Sequence, residues 1–307
     1  MPIFLKDWWL DLVCGEDNWN YVSYSDGNQI NAVWPFYFTK SKYNQTIIKL
    51  PKLTPFLGPW MIYPHSQKYC STLSYEKEVL FKLIDQLPKS DIFLQSINSS
   101  ILNNLPFYWK GFEQSLTYTY KLFDLADTEN IYSNFKESVR TDIRKAQKNL
   151  KVIESDNIDT FYKINSLSFD RQNKEIPYSL NFIRNLDREC RNRECKNLLI
   201  AIDNNNNIHA SIYLVWDNNC TYYLIGGADP NFRSSGAMSF LIWEAIKQAA
   251  QRKQSFDFEG SMIEPIEHFF RSFGAKQEHY LRIIKYSRKG KFIKLLSDFK
   301  KLIFVNS

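Results

Sequence analysis

The order of hydrophobic patterns predicts an α+β protein built from two modules of one topology, each a mostly antiparallel sheet flanked by helices. Two observations carry that prediction. Runs of β-rich residues separated by short turn formers occur twice, once in each half of the chain. Each set is followed by an irregular loop, an amphipathic helix, a strand, a short helix and a last strand. The modules are expected at residues 1–125 and 126–307, with no low-complexity linker between them.

The second half reads more clearly. Segments 197–202, 208–216 and 220–225 alternate with the turn formers DNNNN and DNN, the pattern of an antiparallel meander. After the loop GGADPNFRSSGA, an apolar face recurs at helical spacing through Met238, Leu241, Ile242, Ala245, Ile246 and Ala249. A strand is predicted over 255–259, a helix over 264–273 that Gly274 stops, and a strand over 280–286. In the first half the strands are 20–25, 29–38 and 46–50, with Asp26-Gly27 as a hairpin turn. The Pro-rich loop PKLTPFLGPW follows, then a helix over 74–87, a strand over 91–97, a short helix and a strand over 115–123. Between the halves, Phe135, Val139, Ile143, Ala146 and Leu150 form an apolar helical stripe, and Arg140, Arg144, Lys148 and Lys151 a basic one. At the C-terminus Phe292, Leu295, Leu296, Phe299 and Leu302 form one more apolar stripe, expected to dock on the protein's own sheet, with peripheral membrane contact as the most a bilayer would see.

Composition narrows the function. A chain of 307 residues with 44% hydrophobic and 23% charged residues buries enough core to fold without disulfides or metals. Lys6, Asp7 and Asp11 interrupt the apolar N-terminal stretch, so neither a signal-peptide core nor a spanning helix is expected there. No later stretch reaches the ~20 apolar residues of a membrane helix. The five cysteines are odd in number and scattered, and Cys190 and Cys195 have no second pair at zinc spacing. Reduced thiols, a cytoplasmic location and no metal are the expectation. A net charge of +6 favours anionic partners, and falls short of a DNA-binding footprint.

Meander, loop, helix, strand, helix, strand is also the element order of the GNAT acyltransferases, which this chain resembles. Arg233-Ser234-Ser235-Gly236 partly matches their pattern Arg/Gln-x-x-Gly-x-Gly/Ala, and Met238 departs from it where a small residue is expected. More specifically, GGADPNFRSSGAMSFLIWEAIKQAA and FDFEGSMIEPIEHFFRSFGA resemble the C-terminal signature of Fem-type peptidoglycan aminoacyltransferases and their CelD-like relatives. SVRTDIRKAQKN, SFDRQNKEIPYS and PKLTPFLGPW resemble further family segments in the same order. The resemblance implies tandem GNAT-like modules: the first serves the acceptor, and the second holds the donor against Arg233, Ser234, Ser235, Gly236 and Ala237. It implies acyl-CoA as co-substrate, or aminoacyl-tRNA as the rival donor. The modest basicity and the lack of a long heptad arm lean toward a thioester.

Acyl transfer to an amine needs a group that takes the amine's proton and donors that hold the developing oxyanion. Asp257 and Glu259 alternate with Phe256 and Phe258, which on a strand places both carboxylates on one face. Glu259 is the first candidate for base or amine anchor and Asp257 the second; capping or ion pairing is the structural alternative. His268 has the right pKa range for proton transfer, although a lone helical histidine is more often packed or solvated. In Fem-type enzymes a Phe-Lys pair near this place is implicated; here Phe270-Arg271 stands there, and Arg binds charge without giving up a proton. Arg171, Gln172 and Tyr178 are candidates for gripping a substrate carboxylate or phosphate, and Arg144 for a diphosphate or tRNA backbone. Trp34, Tyr37, Trp60 and Tyr63 are candidates for lining a sugar or acyl pocket, with most of them expected in the core. The function expected is acyl or aminoacyl transfer to an amine of an anionic cell-envelope or polysaccharide precursor; the alternative is a degenerate binding module.

Overall fold

The computed structural model describes residues 1–41, 44–171, 173–260, 262–292 and 294. Its elements are α1 (Asp7–Cys14), β1 (Trp19–Asp26), β2 (Gln29–Lys40), β3 (Thr46–Lys49), β4 (Trp60–Met61), α2 (Tyr69–Gln86), β5 (Ile92–Ile97), α3 (Leu105–Trp109) and β6 (Glu113–Leu122). Then come α4 (Thr128–Ser133), α5 (Glu137–Asn149), β7 (Leu150–Glu154), α6 (Ile158–Asp170), α7 (Leu180–Asn192), β8 (Lys196–Asp203), β9 (Ile208–Trp216) and β10 (Cys220–Ala228). The chain closes through α8 (Ala237–Gln251), β11 (Ser255–Asp257), α9 (Glu264–Arg271) and β12 (Lys276–Tyr286). It divides into two compact units, one of residues 3–117 together with the segment from His279, the other of residues 118–278.

Unit 1 has the strand order β1-β2-β3-β5-β12, with the short β4 on β2. β1, β2 and β3 are the expected meander; β5 then runs parallel to β3, with Ile48 opposite Phe93. The helix α2 buries Val79, Leu80, Leu83 and Ile84 against this sheet. Trp34 is fully buried and its indole N–H donates to Gln95 Oε1 (2.6 Å), whose amide in turn donates to the Pro35 carbonyl (3.2 Å). A buried indole or amide needs such a partner, so Trp34 belongs to the core and not to a pocket wall.

Unit 2 has the order β6-β11-β10-β9-β8-β7. Strands β8, β9 and β10 form the second meander, and β11 runs parallel to β10. The helix α8 is buried along most of its length, through Phe240, Leu241, Ile242, Ala245, Ile246 and Ala249. Residues Val139, Ile143 and Ala146 of α5 join the same core, as their spacing predicted. Lys151 and Leu150 leave the expected helix, because α5 ends at Asn149 and both residues stand on β7.

The last strand of each copy is exchanged. Element order assigns the strand near 115–123 to the first copy and that near 280–286 to the second. Instead β6 pairs with β11, Leu122 opposite Phe256, while β12 pairs with β5 from Leu281 opposite Ile97 to Tyr286 opposite Ile92. Accordingly Tyr120 and Leu122 pack in the core around α8, and Leu281 and Ile283 in the core under α2. Alternation along a strand sets which face is apolar and carries no information on which strand it pairs with.

Of the C-terminal apolar stripe only Phe292 is described, and it is exposed; Leu295, Leu296, Phe299 and Leu302 lie outside the described residues. Among the described residues no helix is long and apolar enough to cross a membrane.

Candidate active site

The parallel strands β10 and β11 pair over three positions, ending with Tyr222 opposite Asp257. Beyond that point they part. β10 continues to Ala228, with a register shift against β9 between Tyr223 and Ile225 that raises its local twist. β11 stops, and the chain turns away through Glu259 (φ 60°) and Gly260 (φ 61°), both left-handed. Gly260 is obligatory here, since a Cβ would stand 2.1 Å from the Tyr118 carbonyl oxygen. The result is a fork with Asp257 and Glu259 at its apex.

Asp257 is buried, and its Oδ1 accepts the Thr119 hydroxyl (2.5 Å) and the Glu259 N–H (2.9 Å). Glu259 is half-buried, yet its Oε1 is shut off from solvent and has no hydrogen-bond partner among the described residues. Burial pushes its carboxyl well above the usual range; the neighbouring Asp257 adds to the rise, and Lys121 opposes it. Phe256 and Phe258 are fully buried with rings 5.0 Å apart, so the phenylalanines occupy one side as the alternation predicted. Glu259 corrects the other part of that expectation. The strand ends at Asp257, and the two carboxylates meet through a left-handed turn instead of sharing a strand face.

The arms of the fork are closely built. Helix α6 lies against β10, where a Cβ on Gly227 would come within 2.5 Å of Asn165 Cα. Asn165 Nδ2 donates to the Gly226 carbonyl (2.8 Å), and the Ala228 N–H donates to Ser168 Oγ (3.2 Å). Tyr178 is buried and its hydroxyl donates to Asn165 Oδ1 (2.6 Å); burial raises its phenol above the ordinary range. The candidate substrate residue Tyr178 thus orients Asn165 from inside the packing. On the α8 side, Tyr223 Oη stands where a Gly226 side chain would begin and contacts Met238 Sδ at 3.8 Å. Met238, which departs from the expected small residue, is therefore the partner of Tyr223.

The loop before α8 is fixed from several directions. Asp229 Oδ1 accepts the Asn231 N–H (2.8 Å), and Phe232 stacks on His209 at 3.9 Å. Lys145 Nζ donates to the Ser234 carbonyl (2.6 Å), and Ser235 Oγ accepts the Ala237 N–H (3.3 Å). Gly236 starts the helix at φ 76°, and a Cβ on it would lie 2.3 Å from the Asp142 carbonyl oxygen. Ala237 is buried, while Arg233 and Ser234 are exposed. An anion at this helix N-terminus would meet Arg233 and the partial positive charge of the helix end.

The remaining candidates scatter. Phe270 is buried against Phe258 (5.2 Å) and Tyr223 (5.7 Å), beside the fork. Arg271 is exposed and pairs with Glu267 (2.9 Å), a carboxylate held below its usual range by Tyr120 and then by Arg271. His268 is exposed, with Lys136 Nζ 3.4 Å from its Nε2. Arg144 and Arg140 both bind Glu137, and Arg171 is exposed at the end of α6. Gln172 lies outside the described residues. Sequence reasoning missed Thr119, Lys121, Asn165 and Tyr223. Thr119 reaches Asp257 across 138 residues, a distance that leaves no local pattern.

A sheet forked beyond a parallel strand pair, with a helix N-terminus beside it, is the arrangement of the GNAT fold. Residues 133–265 match the family described as the acetyltransferase (GNAT) domain. Among solved structures, FemX matches at 12% identity over 95% of this chain and 94% of its own, with a TM-score of 0.69. The C-terminal domain of a putative lysylphosphatidylglycerol synthetase from Agrobacterium fabrum matches at 11% identity over 92% and 89%, with a TM-score of 0.56. A search of curated protein sequences returned no match. In fold, the chain resembles FemX along nearly its whole length, and residues 133–265 carry the match to the GNAT domain.

Proposed function

We propose that unit 2 transfers an acyl group from a thioester donor to an amine, with the amine held at the apex of the fork. The observation that carries this reading is the carboxylate pair, of which Glu259 Oε1 is buried and lacks a partner among the described residues. A protonated amine supplies what is missing there: a donor and a positive charge. The same charge favours the carboxylate form of Glu259, which burial disfavours. Glu259 then takes the ammonium proton, the free amine attacks the thioester carbonyl, a C–N bond forms, the C–S bond breaks, and the thiolate leaves with the second amine proton. Asp257, fixed by Thr119, holds the Glu259 N–H and orients the turn. The Arg233–Ser234 loop and the α8 N-terminus would hold the donor's phosphates.

The net charge of +6 supports an anionic acceptor, and the Fem-type fold supports a cell-envelope or polysaccharide precursor in the cytoplasm. Glu259→Gln should lower kcat roughly 10²- to 10⁴-fold with the fold intact by circular dichroism. Full activity in that variant removes Glu259 from the mechanism.

A second donor is favoured by one observation. Tyr223, Met238, Asn165 and Ser168 already occupy parts of the β10 arm, which suits an aminoacyl-tRNA presenting its ester from outside more than a long thioester arm threaded along the strand. Thermal shifts with CoA, acetyl-CoA and bulk uncharged tRNA separate the two, because a ligand of the native state raises its Tm. A CoA shift lost in Arg233→Glu supports the thioester; a tRNA shift alone replaces it. Gly236 is unsuitable as the test position, since any side chain there collides with α5.

A further inference from the structure

Unit 1 carries a cavity of about 300 Å³ at the C-terminal end of α2. Its floor is apolar, made by Ile84 and Leu87, by Phe93 of β5 and by Phe112. Its rim holds Lys89, Lys285 and Tyr286. Lys285 Nζ lies 5.0 Å from the Phe112 ring centre and donates to the Lys110 carbonyl (2.8 Å). That bond joins the rim to α3 at its C-terminal end; along this helix Leu105, Tyr108 and Trp109 are 53%, 67% and 51% exposed, and Leu102 just before it 51%. So many large apolar side chains within eight positions are rare on a surface that meets only water.

In the other direction the rim continues into a basic segment. Lys285, Arg288, Lys289, Lys291 and Lys294 follow one another with no acidic residue among them. The segment is anchored where it starts: a Cβ on Gly290 would lie 2.0 Å from the Asp91 carbonyl oxygen, and Lys289 reaches Asp91 at 3.7 Å. Lys294 Nζ lies 4.6 Å from the Tyr286 ring centre, at the cavity's edge. Phe292, between these lysines, is 63% exposed.

Three features therefore adjoin one another: a cavity with an apolar floor, exposed Trp, Tyr, Leu and Phe side chains, and a run of cations of which Lys289 is paired with Asp91. Trp and Tyr place a ring in the acyl boundary and a polar tip in the headgroups. Lysines beside them find phosphate. The cores of protein–protein interfaces are by contrast depleted in Lys, and a free phosphate would have no use for Trp109 or Tyr108. We propose that this face of unit 1 docks on an anionic lipid surface, with headgroup phosphates on Lys285 and the basic segment and an acyl chain end in the cavity. The proposal stands apart from the acyl-transfer reading of unit 2.

The test is flotation of the full chain with vesicles of phosphatidylcholine alone and of phosphatidylcholine mixed with phosphatidylglycerol. Binding is expected only to the mixed vesicles, falling as salt rises. Lys285→Ala and Arg288→Ala should each weaken it roughly fivefold, the contribution of one basic residue at an anionic surface. Trp109→Ala should weaken it several-fold while leaving acyl transfer to a soluble amine unchanged. Arg288 and Lys291 are exposed, so their double replacement by Ala keeps the test valid should Trp109→Ala lower the Tm. No binding to the mixed vesicles, equal binding to both kinds, or indifference to these variants overturns the proposal. A protein partner for this face would give the first of those results.

Discussion

Each unit shuts a glutamate oxygen off from solvent, and the two are treated oppositely. Glu76 on α2 is fully buried, and its carboxylate accepts the Tyr63 hydroxyl (2.7 Å), the Leu102 N–H (3.1 Å) and the Asn103 N–H (2.6 Å). Those donors tie the loop after β5 to the helix, and burial together with Glu76 holds the Tyr63 phenol above its ordinary range. Glu259 has an oxygen with no partner among the described residues and a backbone bent into the left-handed region. A satisfied buried carboxylate is a structural tether. An unsatisfied one costs stability, and a ligand that brings the missing donor recovers it. The same topology thus holds a satisfied glutamate in unit 1 and one with an open acceptor in unit 2.

The largest effect that would test this contrast is at Glu76. Glu76→Ala leaves three donors without their acceptor and should cost roughly 3 kcal/mol or more, read as a lower denaturant midpoint. A loss under about 1 kcal/mol would mean that water replaces the carboxylate and the tether is dispensable. Glu259→Gln should move stability far less and with a distinct pH signature. Its folded pKa lies above the ordinary 4.5, so the fold favours the neutral acid. That contribution is complete below the unfolded value and is lost as pH rises toward the folded one, at most about 1.4 kcal/mol for each pH unit. Gln stays neutral throughout. The Tm of the variant minus that of the parent chain should therefore grow from pH 4.5 upward, and parallel curves would show Glu259 to be ionised and solvated.

Much of this was legible in the residues. Both meanders, the apolar faces of α5 and α8 and the loop before α8 follow from spacing and turn formers, which act over a few positions. The carboxylates were legible as a pair, because Asp257 and Glu259 stand between phenylalanines. Their geometry was not, since the left-handed turn is set by the contact of Gly260 with Tyr118. Met238 read as a defect of the loop pattern until Tyr223 supplied its partner. Tyr178 read as a ligand contact because a tyrosine after a loop carries no sign of its burial beneath α6.

By itself the sequence determined the kind and order of elements, the faces they bury and the residue types available for chemistry, since all of these depend on local periodicity and backbone preference. Tertiary structure decided which strand closes which unit, where the parallel pair stops and which carboxylate goes without a partner. Strand pairing and desolvation are set by residues distant in the chain: Thr119 and Lys121 meet Asp257 only because β6 lies beside β11.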